Sequence, residues 1–356
     1  MGDWGLALSI VNRSLPSLRL ERFSVAEIPR YRAEPEDFRV DEIALYDPTG
    51  SGGHTFLRIE KRLLTSDGVA RQLAAAAGVP ARDVGYAGRK DRAAVTTQWM
   101  SVPDLDPREA LKLEFKGVRI LEAIRHPHKL RTGQLRGNRF VIRIRGVGEE
   151  LEAKAREALR VIMAVGMPNR FGAQRFGHGG RNAAGGRELL AGRRVARDRR
   201  KARFLLSALQ SEVFNRVLDD RPLPLDAVEE GEVAQVVESG GLFVVEDAGV
   251  ENERAKAFEI SATGPIFGTK MKAPLGVPAE REAQIFASME IPLAEDLVPP
   301  RGIRLAGTRR PFRVRPQEMS LVREEGTLQL EFGLPPGSYA TVLLEELFGE
   351  LQEGGG

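Results

Sequence analysis

Residues 85–99 read GYAGRKDRAAVTTQW. The segment 84–88 suits a short strand, with glycines at 85 and 88 expected to permit tight turns on either side of Tyr86. From Val95 the pattern alternates, with Thr97, Trp99 and Ser101 on one face and Gln98, Met100 and Val102 on the other. Between them, Arg89, Lys90, Asp91 and Arg92 are too polar for a core. The stretch therefore predicts strand, loop, strand, with one carboxylate, Asp91, in the loop between two cations.

Working outward, the same strand grammar recurs. Phe38, Val40 and Glu42 begin a strand, a turn-rich segment spans 47–54, and a second strand covers 55–60, with Phe56 and Leu57 on opposite faces. Thr65 and Ser66 are cap candidates for a helix that runs to Ala77 and is closed by Gly78 and Pro80. Downstream, 138–145 alternates with Phe140, Ile142 and Ile144 on one face, and a helix covers 149–165. Composition then changes. A glycine-dense run, GMPNRFGAQRFGHGGRNAAGG, starts at Gly166. A basic run at 193–203, a helix over 205–218 and an acidic, proline-punctuated stretch at 225–300 follow. Val298-Pro299-Pro300 reads as a linker, and alternation returns from Ile303. Ser338 is expected to cap a last helix reaching Leu351, with only the final four residues disordered. This order predicts an α+β catalytic domain, residues 1–165 and 304–356, interrupted by an inserted domain at 166–303.

Composition narrows the function classes. A chain of 356 residues has room for two domains with substantial cores. Net charge is only +3, so the chain is not uniformly basic, yet its arginines cluster. Their planar forks suit phosphate and guanine. The absence of cysteine excludes disulfides, thiolate catalysis and thiolate zinc sites. The apolar run at 6–11 is too short for a membrane span and lacks a signal-peptide layout, so a soluble, cytoplasmic protein is expected.

Each candidate residue has a plain alternative. An isolated KDR tripeptide is most often a surface aspartate paired with its neighbours. Here the glycines before it, and Thr96, Thr97 and Gln98 after it, exceed what a solvated hairpin needs. A carboxylate held near cations is able to act as nucleophile or base without a metal. The basic stripe over 125–145 reads either as a solvated strand face or as a polyanion surface. The scarcity of acids within it, and the presence of Asn138 and Phe140, favour the second. For Phe140, core packing and base stacking are equally good readings. NRFGAQRFGHGG does not match the phosphate loop GxxxxGK(S/T) and could be an interdomain connection. His126 and His128 are two apart with no thiolate nearby and His178 is isolated, so no metal site is expected. Ser338 in PGSYAT suits a helix cap rather than a nucleophile elbow.

Four segments in order, GYAGRKDRAAVTTQW, RHPHKLRTGQLRGNRF, MPNRFGAQRFGHGG and LPPGSYATVLLEEL, resemble the signatures of the TruD family of tRNA pseudouridine synthases. EPEDFRVDE and SALQSEVFN extend the likeness, which spans about residues 30–350. The resemblance implies a pseudouridine synthase core, a mixed and mainly antiparallel sheet with a central cleft, plus an inserted α/β TRUD domain. It implies cofactor-free isomerisation of one uridine in tRNA, at position 13 of the D-arm, by a monomer with tRNA as partner and no membrane association. The matching catalytic aspartate is Asp91, and the target base must leave its stack at a cost of about a few kcal/mol. Phe140 matches the pocket aromatic, Asn138 and Gln98 would hydrogen-bond base or ribose, and Phe38 and Tyr339 match other pocket positions. Tyr339 stands where some relatives have Phe. Arg32 stands where the family can carry Lys and is expected to pair with Asp91. Arg131, Arg136, Arg139, Arg175 and Arg199 are the candidates for the RNA backbone. Two other classes compete: a non-catalytic RNA-binding protein that keeps the cleft, and a metal-dependent nuclease.

Overall fold

The computed structural model describes residues 28–195, 198–324 and 326–354. The apolar run at 6–11 lies outside them. The strands are β1 (Arg30–Tyr31), β2 (Phe38–Ala44), β3 (His54–Arg62), β4 (Gly85–Tyr86), β5 (Val95–Pro103), β6 (Val118–His126), β7 (Leu135–Arg145) and β8 (Met167–Pro168). They continue as β9 (Val233–Val236), β10 (Leu242–Val244), β11 (Ile260–Ile266), β12 (Thr308–Pro311), β13 (Arg313–Val314), β14 (Gln317–Glu324), β15 (Thr327–Leu334) and β16 (Gln352–Glu353). The chain divides into two compact units. One holds Leu159–Arg315 with Thr341–Glu346, and the other holds 28–158, Pro316–Ala340 and 347–354.

The second unit is built on one sheet, ordered β14-β15-β7-β2-β5-β3-β6, with β1, β4 and β16 at its margins. Only β2–β5 and β1–β16 pair in parallel, so the sheet is mixed and mainly antiparallel. The β-branched and aromatic content of VTTQWMSVP suits a strand. Both faces of β5 are buried, because Met100 and Val102 pack with Leu57, Ile59 and the Ser66–Ala76 helix, while Trp99 packs against Phe56 on the other side. That helix presents Val69, Ala70, Leu73 and Ala74, and Thr65 caps it by accepting from Gly68 N.

The sheet explains the central glycine differently from the sequence. Neither Gly85 nor Gly88 adopts a positive φ. Gly85 is required because a Cβ there would sit 2.2 Å from the Leu130 carbonyl oxygen, whereas one at Gly88 would meet only Lys90 Nζ at 3.7 Å. Two end-of-chain expectations also change. The last helix is Ala340–Phe348, starting two residues after Ser338 and ending before Leu351. Glu353, expected to be disordered, pairs with Tyr31, and Gly354 N donates to the Tyr31 carbonyl at 2.8 Å.

The first unit packs the Arg199–Asp220 helix, through Leu205, Leu209, Val213, Phe214 and Val217, against the sheet β10-β9-β11-β12. The helix begins inside the basic run because Asp198 caps it, accepting from Arg200 N. The glycine-dense segment is tied down: Phe171 N donates to Asn215 Oδ1 at 2.9 Å, and Arg175 donates to Ser207 at 2.6 Å. It also contains a helix, Arg181–Leu190, which its glycines conceal in the sequence. Gly186 is needed there, since a Cβ would meet the Leu205 carbonyl oxygen at 2.3 Å.

Candidate active site

Sheet register decides which side chains share a face. Val40 lies opposite Phe140 and Thr96, and Glu42 lies opposite Asn138. Partners across a ladder point the same way, and residues two apart along a strand do too. Phe38, Glu42, Asn138, Phe140, Thr96 and Gln98 therefore share one face. Lys61, opposite Thr96 in β3, joins them. Four of the expected substrate residues are thus brought together by register alone.

Asp91 stands at the edge of this face, in the loop between β4 and β5. Its side chain is 48% exposed, and Arg32 Nη2 reaches its Oδ2 at 2.5 Å. Arg32 is held in turn: Nη1 donates to Glu353, and the guanidinium lies 3.8 Å from the centre of the Phe38 ring. Its backbone is left-handed, at φ 56°. A non-glycine residue there is uncommon and is held by its surroundings. Charge, stacking and backbone together fix the cation against the carboxylate.

The loop is also clamped from beneath. Lys61, 1% exposed, donates through Nζ to the Asp91 carbonyl at 2.7 Å and to the Leu64 carbonyl at 2.6 Å. Burial brings its ammonium down to a pKa of about 8, with Lys90 pushing the same way and the Asp91 charge opposing. Lys90 forms a buried pair with Glu42 at 2.6 Å, and Glu42 also accepts from Trp99 N at 3.1 Å. Ser66 Oγ accepts from Lys90 N at 2.9 Å and donates to Gln98 Oε1 at 2.6 Å. The Gln98 amide, also bonded to the Gly88 carbonyl and 1% exposed, is turned inward. In this arrangement it supports the loop rather than facing a ligand.

The remaining candidates differ in freedom. Phe140 is 7% exposed, stacked on Phe332 at 5.0 Å between centroids and edge-on to Phe38 at 6.2 Å. Asn138 Oδ1 is buried with no hydrogen-bond partner. A buried acceptor without a donor costs about 1–3 kcal/mol, so this oxygen is suited to a donor from a ligand. Tyr339 is half-buried just before the last helix. Arg131 and Arg136 are exposed with no acidic partner among the described residues. Arg139 is held by Glu331 at 2.8 Å, and Arg145 by buried Asp37 at 2.8 Å. The acids missing from the basic stripe are thus supplied by neighbouring strands and loops. In the first unit, Arg175 is bound to Ser207, and Arg199 is exposed at the start of its helix.

Lys61, Glu42, Ser66 and Glu353 were not identified from the sequence as residues of the site. Glu42 carried a signal: it follows Phe38 and Val40 at an inward position of an alternating strand, where a charge needs a buried partner. Among the described residues, no group of three or more His, Asp or Glu could hold a metal ion. No described helix is long and apolar enough to cross a membrane.

Comparison with known proteins shows the family and the fold. The family described as tRNA pseudouridine synthase D (TruD) matches residues 28–196 and 193–347. A tRNA pseudouridine synthase D from Anaeromyxobacter dehalogenans strain 2CP-1 is 44% identical over 337 residues, covering 91% of this chain and 95% of that protein. One from Geobacter sulfurreducens is 38% identical, covering 92% and 96%. A solved TruD chain from Methanosarcina mazei superposes with a TM-score of 0.72 at 23% identity, over 96% of this chain and 98% of that one, and it shows the pseudouridine synthase fold. The chain belongs to the tRNA pseudouridine synthase D (TruD) family.

Proposed function

We propose that this chain isomerises uridine to pseudouridine at position 13 of tRNA, with Asp91 as the catalytic carboxylate and the target base turned out of the RNA stack. The observation that carries the reading is a half-exposed carboxylate anchored by Arg32 beside a face bearing Phe38, Asn138 and Phe140. In the reaction the C1′–N1 bond breaks, the uracil turns, C5 bonds to C1′, and the C5 proton is lost while N1 gains one. A fixed carboxylate serves either route, adding to the sugar carbon or removing a sugar proton. Arg32 holds the carboxylate in place, and Lys61 holds the backbone that carries it. Phe140 offers its ring to the extruded base with Phe38 edge-on behind it, the Asn138 oxygen accepts from the base N–H, and Tyr339 is assigned to the same site by its match to the family.

Residues 1–165 and 304–356 form the catalytic domain in this reading, and 166–303 the insertion. Arg131, Arg136, Arg139, Arg175 and Arg199 meet phosphates. Support for Arg199 comes from its setting. Arg199, Arg200, Lys201 and Arg203 crowd the positive end of a helix dipole, where Asp198 sets one carboxylate against four cations. The test is Asp91→Asn. Turnover of tRNA should fall at least about 10³-fold while the folded state and tRNA affinity persist. Residual turnover within about tenfold of the parent would overturn the assignment.

A further inference from the structure

The far end of the same sheet carries a concavity of about 570 Å³. His54, at the start of β3, lies opposite His126 of β6, while Lys61 lies near the other end of β3. Seven residues of strand separate the two ends by about 23 Å. The concavity is therefore distinct from the Asp91 loop.

Its lining is built for recognition. His126 is 7% exposed, stacked on Tyr46 at 5.2 Å and tilted against Phe56 at 4.4 Å, so its ring is fixed. Its Nδ1 is buried without a hydrogen-bond partner, and the same is true of neighbouring His54. Burial lowers the pKa of both imidazoles, which keeps them neutral, with one donor and one acceptor each. Gln134 Oε1 accepts from Arg131 N at 2.6 Å and from the Tyr46 hydroxyl at 3.3 Å, and the amide nitrogen of Gln134 remains a donor. At the rim stand exposed Arg131, half-buried Lys129, which keeps two donors after its bond to the Arg82 carbonyl, and the carboxylate of Asp47.

Neutral ring nitrogens and an amide suit a base edge, guanidinium and ammonium suit a phosphate, and a carboxylate suits ribose hydroxyls. We propose that this concavity is a second nucleotide-binding site. It takes one unstacked nucleotide of the RNA substrate remote from the uridine being modified, with phosphate on Arg131 and Lys129 and base edge on His126 and Gln134. It takes no part in the chemistry. The proposal rests on the tRNA reading above, and its test separates the two.

The full chain is titrated with the four nucleoside 5′-monophosphates and with inorganic phosphate alone, following the His126 imidazole resonances by NMR against His126→Phe. At least one nucleotide should shift them and phosphate should not. Separately, His126→Phe and Lys129→Met should each raise KM for full-length tRNA about tenfold with kcat retained. A short stem-loop carrying only the target uridine and its flanks should be unaffected. Lys129→Met, a change at the rim, keeps the kinetic arm readable if His126→Phe does not fold. Silent His126 resonances, an equal response to phosphate alone, or an unchanged KM for tRNA would each overturn the site. A parent enzyme that binds nucleotides at His126 yet forms no pseudouridine would instead overturn the function proposed for Asp91.

Discussion

The two units bury their cations in opposite styles. The unit around Leu159–Arg315 buries arginine: Arg221, Arg309 and Arg313 are all under 5% exposed. The unit carrying Asp91 buries Lys61 and Lys90, sets Arg32 against Asp91, and leaves Arg131 and Arg136 at the surface without acidic partners among the described residues. Guanidinium stays charged in any protein environment and fixes geometry through several donors, as Arg313 does by reaching the carbonyls of Val165, Ala255 and Ile260. Lysine is a point charge that burial can shift into the working pH range, as for Lys61. The contrast separates cations that hold a fold from cations placed near chemistry, a distinction that arginine density alone cannot make.

The most severe way to break the contrast is in the first unit. Arg309 donates twice to Glu282, at 2.7 and 2.9 Å, and once each to the Thr263 hydroxyl and carbonyl. Burial raises the Glu282 pKa, and Arg309 opposes the rise. Arg309→Met strands that carboxylate and should cost about 3–5 kcal/mol in urea unfolding. Adding Glu282→Leu should return most of the loss, because no buried charge then remains. A single variant costing under about 1 kcal/mol would show that this arginine does not hold the fold.

Lys61 tests the other side. Its folded pKa of about 8 lies below the unfolded value of 10.5, so the unfolded chain binds more protons between those limits. Stability must then rise with pH across that window, by about 1.4 kcal/mol per unit at most, as the penalty for burying the charge is relieved. Below about pH 8 the penalty is present in full. The difference in unfolding free energy between parent and Lys61→Met should show this slope, and a flat difference would mean that the ammonium is not desolvated. The same variant leaves the Asp91 and Leu64 carbonyls without their donor. Its kcat should drop about tenfold with KM held, while Lys61→Arg should restore little, since a larger fork does not fit the buried position.

Much of this was legible from residues. The loop carrying Asp91, the strands around it and the helix capped at Thr65 follow from period, caps and turns. The shared face of Phe38, Asn138 and Phe140 was not legible, because register between distant strands is a tertiary property. Nor were the partners of Arg139 and Arg145, since Glu331 lies 192 residues away and Asp37 lies 108 residues away. Gln98 shows the limit from the other direction. The family resemblance implied a substrate contact, but β5 is buried on both faces, so an inward amide finds Ser66 and Gly88. Within the 225–300 stretch, β9 and β10 were missed because they are only four and three residues long, too short for a period to emerge.

The smallest effects are the most discriminating for the exposed arginines. Arg136 and Arg139 sit three residues apart in β7 and look alike in sequence, yet only Arg139 has a carboxylate, Glu331, at 2.8 Å. Replacing Arg136 by Ala removes no ion pair seen among the described residues, so stability should stay within about 0.5 kcal/mol. If Arg136 meets a phosphate, the slope of log affinity for tRNA against log salt should fall by about 0.7. Arg139→Ala should change that slope by less, because a guanidinium already paired with a carboxylate releases fewer counterions when a phosphate arrives. Glu331→Gln should move Arg139 toward the behaviour of Arg136. Equal slopes for both arginines before and after that change would mean that the intramolecular acid does not decide which arginines reach RNA, and the contrast between paired and unpaired cations would lose its functional meaning.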